Sequence, residues 1–133
     1  MAGLDTNVLV RWLVDDDARQ SRLVAELFKD STARGERLYV PVTVMLELEW
    51  LLRSRYQFEK SSVLMAMNAL LETRELEFQM EPAIERALHA YRLGKADFAD
   101  GLHAGLCAVD GRQPLLSFDA KAARLDDAAL LTG

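Results

Sequence analysis

Three short β-forming runs in this chain each give way to a helical run, and each carries an acid at the junction or one turn beyond. Ala2-Gly3-Leu4 is followed by Asp5 and then by Val8, Leu9, Trp12 and Leu13 at helical spacing. Leu38-Tyr39-Val40-Pro41-Val42 reads as a strand ending at Pro41, with Thr43 as the cap of a helix that runs to about Arg55 and carries Glu47. Pro114 to Phe118 is the clearest later strand, and Asp119 follows it where a helix to Leu125 is expected. Strands separated by helices predict an α/β three-layer α/β/α sandwich with a central parallel sheet, in which ligands collect beyond the carboxyl ends of the strands.

The remaining segments fit that alternation. Ala18 to Ala33 is helical and stops at Gly35, Ser61 to Thr73 is an apolar helix with Met65 and Met67 as core filler, and Leu76-Glu77-Phe78 is a short strand. Pro82 stands near a helix start and Gly94 just past its end. A second helix then begins at Asp97, with Gly101 and Gly105 on one face where a neighbouring backbone approaches closely. Ala128 to Leu131 is an edge strand. With 133 residues, 50% of them hydrophobic, the chain reads as one domain, 1–133, able to bury about two thirds of its unfolded surface.

The start of the chain has no basic region followed by an apolar stretch, and no apolar run approaches the roughly 20 residues of a membrane span. The expectation is a cytoplasmic protein without membrane contact. The single cysteine, Cys107, lies in an apolar helical pattern and is expected to be a buried structural thiol. His103 is expected to be exposed or at an interface.

Lys95 to Leu102 holds two carboxylates, Asp97 and Asp100, three residues apart at the start of a helix. Their structural reading is an N-cap with an acid at the third helical position, and Asp5 or Thr6 is equally suited to cap its own helix. Asp5, Glu47, Asp97, Asp100 and Asp119 are also placed to converge beyond the strand ends. Bringing four or five carboxylates together without a cation costs several kcal/mol or forces protonation, so a divalent ion is the economical explanation. Oxygen ligands without Cys or His favour Mg²⁺ or Mn²⁺ over Zn²⁺. One or two such ions, about 4 Å apart when paired, can activate water for phosphodiester hydrolysis.

The net charge of −5 argues at first against a nucleic-acid partner. Setting these five acids aside leaves 16 of the 21, balanced by 16 Lys and Arg, so the rest of the surface does not repel phosphate. Arg11, Arg53, Lys95, Lys121 and Arg124 lie near the motifs as candidate contacts to a substrate's phosphates. No Gly-rich phosphate loop, Ser-His-Asp set or Cys-His pair is present.

Leu4-Asp5-Thr6-Asn7-Val8-Leu9, Glu47-Leu48-Glu49-Trp50-Leu51-Leu52, Asp97-Phe98-Ala99-Asp100-Gly101-Leu102 and Ser117-Phe118-Asp119-Ala120-Lys121 resemble, in order and spacing, the PIN-domain ribonucleases, and in particular the toxins of VapBC-type toxin-antitoxin pairs. The resemblance implies a PIN-like fold and a Mg²⁺- or Mn²⁺-dependent endoribonuclease. Asp5, Glu47, Asp100 and Asp119 match the family's acidic positions, with Asp97 an additional carboxylate beside them. Asp5 and Asp100 would be the main ligands, Glu47 would orient the attacking water or hold the metal through water, and Asp119 would contribute more variably. Ser117 would position a carboxylate or the phosphate, and Asn7 would support the turn after Asp5. The match makes Glu47 the acid at the strand end and leaves Glu49 as the solvated one.

The resemblance also implies a homodimer and a small antitoxin whose basic tail enters the acidic groove, with DNA contacted only through that partner. Gly101, His103 and Gly105 depart from the family's usual apolar helix. Two other readings compete. A phosphatase of the haloacid dehalogenase type wants a second Asp two residues after Asp5, where Asn7 stands. A non-catalytic PIN-like module that binds RNA or protein would be expected to lose part of the acidic set, which here is complete.

Overall fold

The computed structural model describes residues 1–132, in two compact units, Met1–Gln79 and Met80–Gly133. The first contains α1 (Thr6–Leu13), α2 (Ala18–Ala33), β1 (Leu38–Val40), α3 (Val42–Ser54), α4 (Lys60–Leu71) and β2 (Leu76–Phe78). The second contains α5 (Glu81–Arg92), α6 (Phe98–Val109), β3 (Leu115–Ser117), a 3-10 turn at Ala122–Arg124 and β4 (Ala128–Leu130). No helix among the described residues is long and apolar enough to cross a membrane.

In the first unit β1 pairs in parallel with β2, Leu38 opposite Leu76 and Val40 opposite Phe78. Two parallel neighbours need a long crossover, and α3 and α4 supply it. The chain start runs along the other side of β1: the Leu4 amide donates to Tyr39 O at 2.8 Å and the Tyr39 amide to Ala2 O at 2.8 Å. Leu9 and Val10 of α1 and Val24 and Phe28 of α2 are buried, and the Trp12 and Phe28 rings stack with centroids 4.2 Å apart. Each fully buried Leu or Phe stabilises by about 1.5–3 kcal/mol.

The second unit is built on the packing of α5 against α6. A Cβ on Gly105 would stand 3.0 Å from Ala83 O, and one on Gly101 3.2 Å from Ala87 Cα, so a side chain at either position would press the two backbones apart by a few tenths of an ångström. The connection is a Schellman turn at Gly94, whose φ of 71° suits a residue without Cβ. Its amide donates to Tyr91 O and that of Lys95 to Ala90 O, both at 3.0 Å, which stops α5 and starts the chain toward α6. Ala90, Ala96, Ala104 and Leu125 form a small core, with Leu115 and Ala128 packed on it. Arg86 on α5 pairs with Asp127 at 2.6 Å, just before β4.

β3 and β4 are parallel, Leu115 opposite Ala128 and Ser117 opposite Leu130. Leu116 and Phe118 alternate to the other face and are exposed. The α/β class and the parallel pairing are as expected. The described strands pair as two ladders, one in each unit.

Several local expectations need correction. Pro41, not Thr43, stands at the N-cap of α3, and the Val42 amide is met by Gln79 Oε1 at 2.9 Å instead of by a hydroxyl. Met67 is fully buried, but Met65 lies two positions away on the opposite side of α4 and is exposed. The segment after Asp119 forms a single 3-10 turn, because the chain must be extended again by Asp127 to receive the Leu115 amide at 2.8 Å. A one-turn segment cannot repay helix nucleation. Cys107 is half-buried, not fully enclosed.

Candidate active site

The first unit presents Asp5 and Glu47 through one intermediary. Asp5 is the N-cap of α1, with extended backbone, and its Oδ1 accepts from the Thr6 amide at 2.7 Å. The buried Thr6 hydroxyl donates to Glu47 Oε1, one turn into α3. Asp5 and Glu47 are themselves exposed, so both carboxylates keep oxygen lone pairs facing solvent. Capping and availability for other chemistry therefore coexist at Asp5. Asn7 is exposed one residue beyond Thr6.

The two acids of α3 divide their roles differently from the expectation. Glu47 is the accessible one, as expected, but Glu49 is not solvated: it is 3% exposed and is bridged by Arg53 one turn later, Nε to Oε2 at 2.9 Å. Glu49 shares the buried face with Val44, Met45, Leu48 and Leu52, and it lies four positions after Met45. That spacing is the signal in the sequence that points to its burial. Trp50, on the other side, is exposed, so the helix is less enclosed than its composition implies.

Arg11 and Arg53, two of the candidate phosphate contacts, are engaged within the unit. Arg53 holds Glu49. Arg11 is held above its ordinary pKa first by the hydrogen bond with the Tyr56 hydroxyl and then by the charges of Asp16 and Asp17.

The second unit presents Asp97, Asp100 and Asp119. Asp97 occupies the N-cap position of α6 yet makes no side-chain capping bond, while Asp100 stands at the third helical position, half-buried. The helix start therefore holds its acids without using Asp97 as a cap. Beyond β3, Ser117 Oγ accepts from the Asp119 amide at 2.9 Å, and Asp119 Oδ1 accepts from the Lys121 amide at 2.8 Å. Ser117 thus shapes the turn that carries an acid. Lys121 Nζ then lies 3.6 Å from Asp97 Oδ1, linking the end of β3 to the start of α6. The sequence singles out Lys121 only as a nearby basic residue, and Thr6 only as a capping residue. His103 is exposed, as expected.

No group of three or more His, Cys, Asp or Glu among the described residues is arranged as a metal cage. The donor chemistry nevertheless suits a hard cation, since every candidate offers carboxylate oxygen. Mg²⁺ in phosphoryl-transfer sites typically takes one or two carboxylates and completes its shell with water and substrate.

The chain is thus parallel α/β, with acids just after its strands and near its helix starts. The particular family is plain from comparison: the PIN domain model matches residues 3–128, and the chain belongs to the PIN domain family. The match runs through both units. A VapC ribonuclease of Aquifex aeolicus (strain VF5) is 25% identical over 122 residues, covering 92% of this chain and 90% of that one. The crystal structure of VapBC2 from Rickettsia felis, bound to a DNA fragment from their promoter, is 16% identical with a TM-score of 0.40, covering 98% of this chain and 96% of that one.

Proposed function

We propose that this protein is a divalent-metal-dependent endoribonuclease that acts as the toxin of a VapBC-type toxin-antitoxin pair. The observation that carries the reading is the family match over residues 3–128 on a chain that keeps acids at all four motif positions, Asp5, Glu47, Asp100 and Asp119. The likeness to a VapC ribonuclease along 92% of the chain supports the same activity.

Asp5, Asp100 and Asp119 are the proposed holders of Mg²⁺ or Mn²⁺, with Asp97 beside them. When bound, the ion supplies charge stabilisation at phosphoryl oxygens and a more acidic water. Glu47 would orient the attacking water or hold the metal through water, its carboxylate held by Thr6. Ser117 fixes the turn that presents Asp119. A small antitoxin with a basic tail is the proposed inhibitor, suited to the exposed carboxylates and the net charge of −5. The protein would work as a homodimer in the cytoplasm, and DNA would be met only through the antitoxin.

The test is cleavage of total cellular RNA, including transfer RNA, by the purified protein in Mn²⁺ or Mg²⁺, with the new ends mapped. Cuts lost with EDTA and in Asp100→Asn are expected. Cleavage retained by Asp100→Asn would overturn the assignment.

A further inference from the structure

We infer that Lys121 contacts the phosphate of the bound RNA and that Asp97 holds its ammonium in place instead of ligating metal. This rests on the nuclease reading above and assigns roles that the four acidic motifs leave open.

Asp97 has no structural occupation. It stands at an N-cap without capping, and among the described residues the one side chain paired with it is Lys121. At 3.6 Å the pair is too long for a direct hydrogen bond, so the ammonium keeps its three N–H donors for another acceptor. Lys121 is half-exposed, and solvent-borne phosphate can reach it.

Its backbone is well placed. The amide is fixed by Asp119 Oδ1 at 2.8 Å, and the Asp119 amide by Ser117 Oγ at 2.9 Å, so the turn that presents the acid also presents the lysine. A compact ammonium on a flexible stem, with a carboxylate alongside, is a suitable point charge for a phosphate. An ammonium already beside Asp97 also opposes a divalent ion on the same oxygens, because like charges repel. A lysine among acids therefore gives the carboxylates different roles. Asp100 and Asp119 remain for the metal, and Asp97 serves the lysine.

The experiment measures steady-state cleavage of a transfer RNA pool by the Mn²⁺-loaded protein, and separately Mn²⁺ affinity from the electron paramagnetic resonance of free Mn²⁺. Expected for Lys121→Met are a kcat/KM lowered about tenfold, carried mainly by KM, and a salt dependence reduced by about one phosphate contact. Asp97→Asn should lower kcat/KM in the same way, the double variant should be no worse than Lys121→Met, and Lys121→Arg should recover most of the loss. Mn²⁺ affinity should stay within about twofold of wild type in all of them.

A tenfold weaker Mn²⁺ affinity in Asp97→Asn would make it a ligand and overturn the proposal. So would unchanged kcat/KM in Lys121→Met, or losses that multiply in the double variant. Wild-type protein that leaves the RNA pool whole fails the nuclease reading itself, a result seen before any variant is made.

Discussion

The hydroxyl of Thr6 donates a hydrogen bond to the carboxylate of Glu47, across 41 positions of sequence. Thr6 is buried and Glu47 is exposed, so the bond orients a solvent-facing acid from within the protein.

Thr6→Val keeps the side-chain shape and removes the donor. Because water can solvate the released carboxylate, the stability cost should stay within about 1 kcal/mol. RNA cleavage should fall roughly tenfold in kcat, equivalent to about 1.4 kcal/mol, while Thr6→Ser retains activity. Parallel thermal melts and cleavage assays would show this split. A Thr6→Val protein that cleaves at the wild-type rate would remove Thr6 from the site.

Glu49 and Arg53 should respond unequally to substitution. Arg53→Ala leaves a buried carboxylate without its ion pair and should destabilise by about 1–3 kcal/mol. Glu49→Leu places an apolar side chain among Met45, Leu48 and Leu52 and should lie within about 1 kcal/mol of wild type. Urea unfolding of both variants distinguishes this from a pair that matters symmetrically.

Gly105→Val should lower stability by about 1–3 kcal/mol, since its Cβ would meet Ala83 O at 3.0 Å and force α5 and α6 apart. Calorimetry should register a fall in Tm. An unchanged Tm would mean that the two helices do not pack this closely in solution.

Asp100→Asn removes a charge from a half-buried position at the start of α6. The helix-dipole contribution lost is about 0.3–1 kcal/mol, so far-ultraviolet circular dichroism should be unchanged and Tm nearly so. Mn²⁺ at about 100 times its Kd should stabilise the wild type by about 2.7 kcal/mol and the variant by much less. Equal Mn²⁺ stabilisation of both proteins would exclude Asp100 as a ligand.

Much of this fold is legible because its signals are local. Helical spacing locates α1, α2 and α6, and Gly35 and Gly94 mark the ends of α2 and α5. The partners of side chains are not legible in the same way. Thr6 and Glu47 are far apart along the chain, and nothing in the spacing of either reveals their bond. Glu49 is misassigned from sequence because the family match identifies Glu47 and leaves its neighbour to elimination, although the buried periodicity of α3 runs through it. The turn after Asp119 is misassigned because the composition suits a helix, while the pairing of Asp127 with Leu115 leaves no length for one. Among the candidate acids the exposed ends are foreseeable. The lysine linking Asp97 to the Asp119 turn depends on side-chain reach, which residue spacing does not encode.

The outward alternation of β3 has a practical consequence for anyone handling the protein. Leu116 and Phe118 project into water from a short ladder whose two strands pair only with each other among the described residues. Greasy side chains on a lightly paired edge invite sticking between molecules at high concentration. Phe118→Lys, which puts a charge on that edge, should give clearer stocks and slower precipitation.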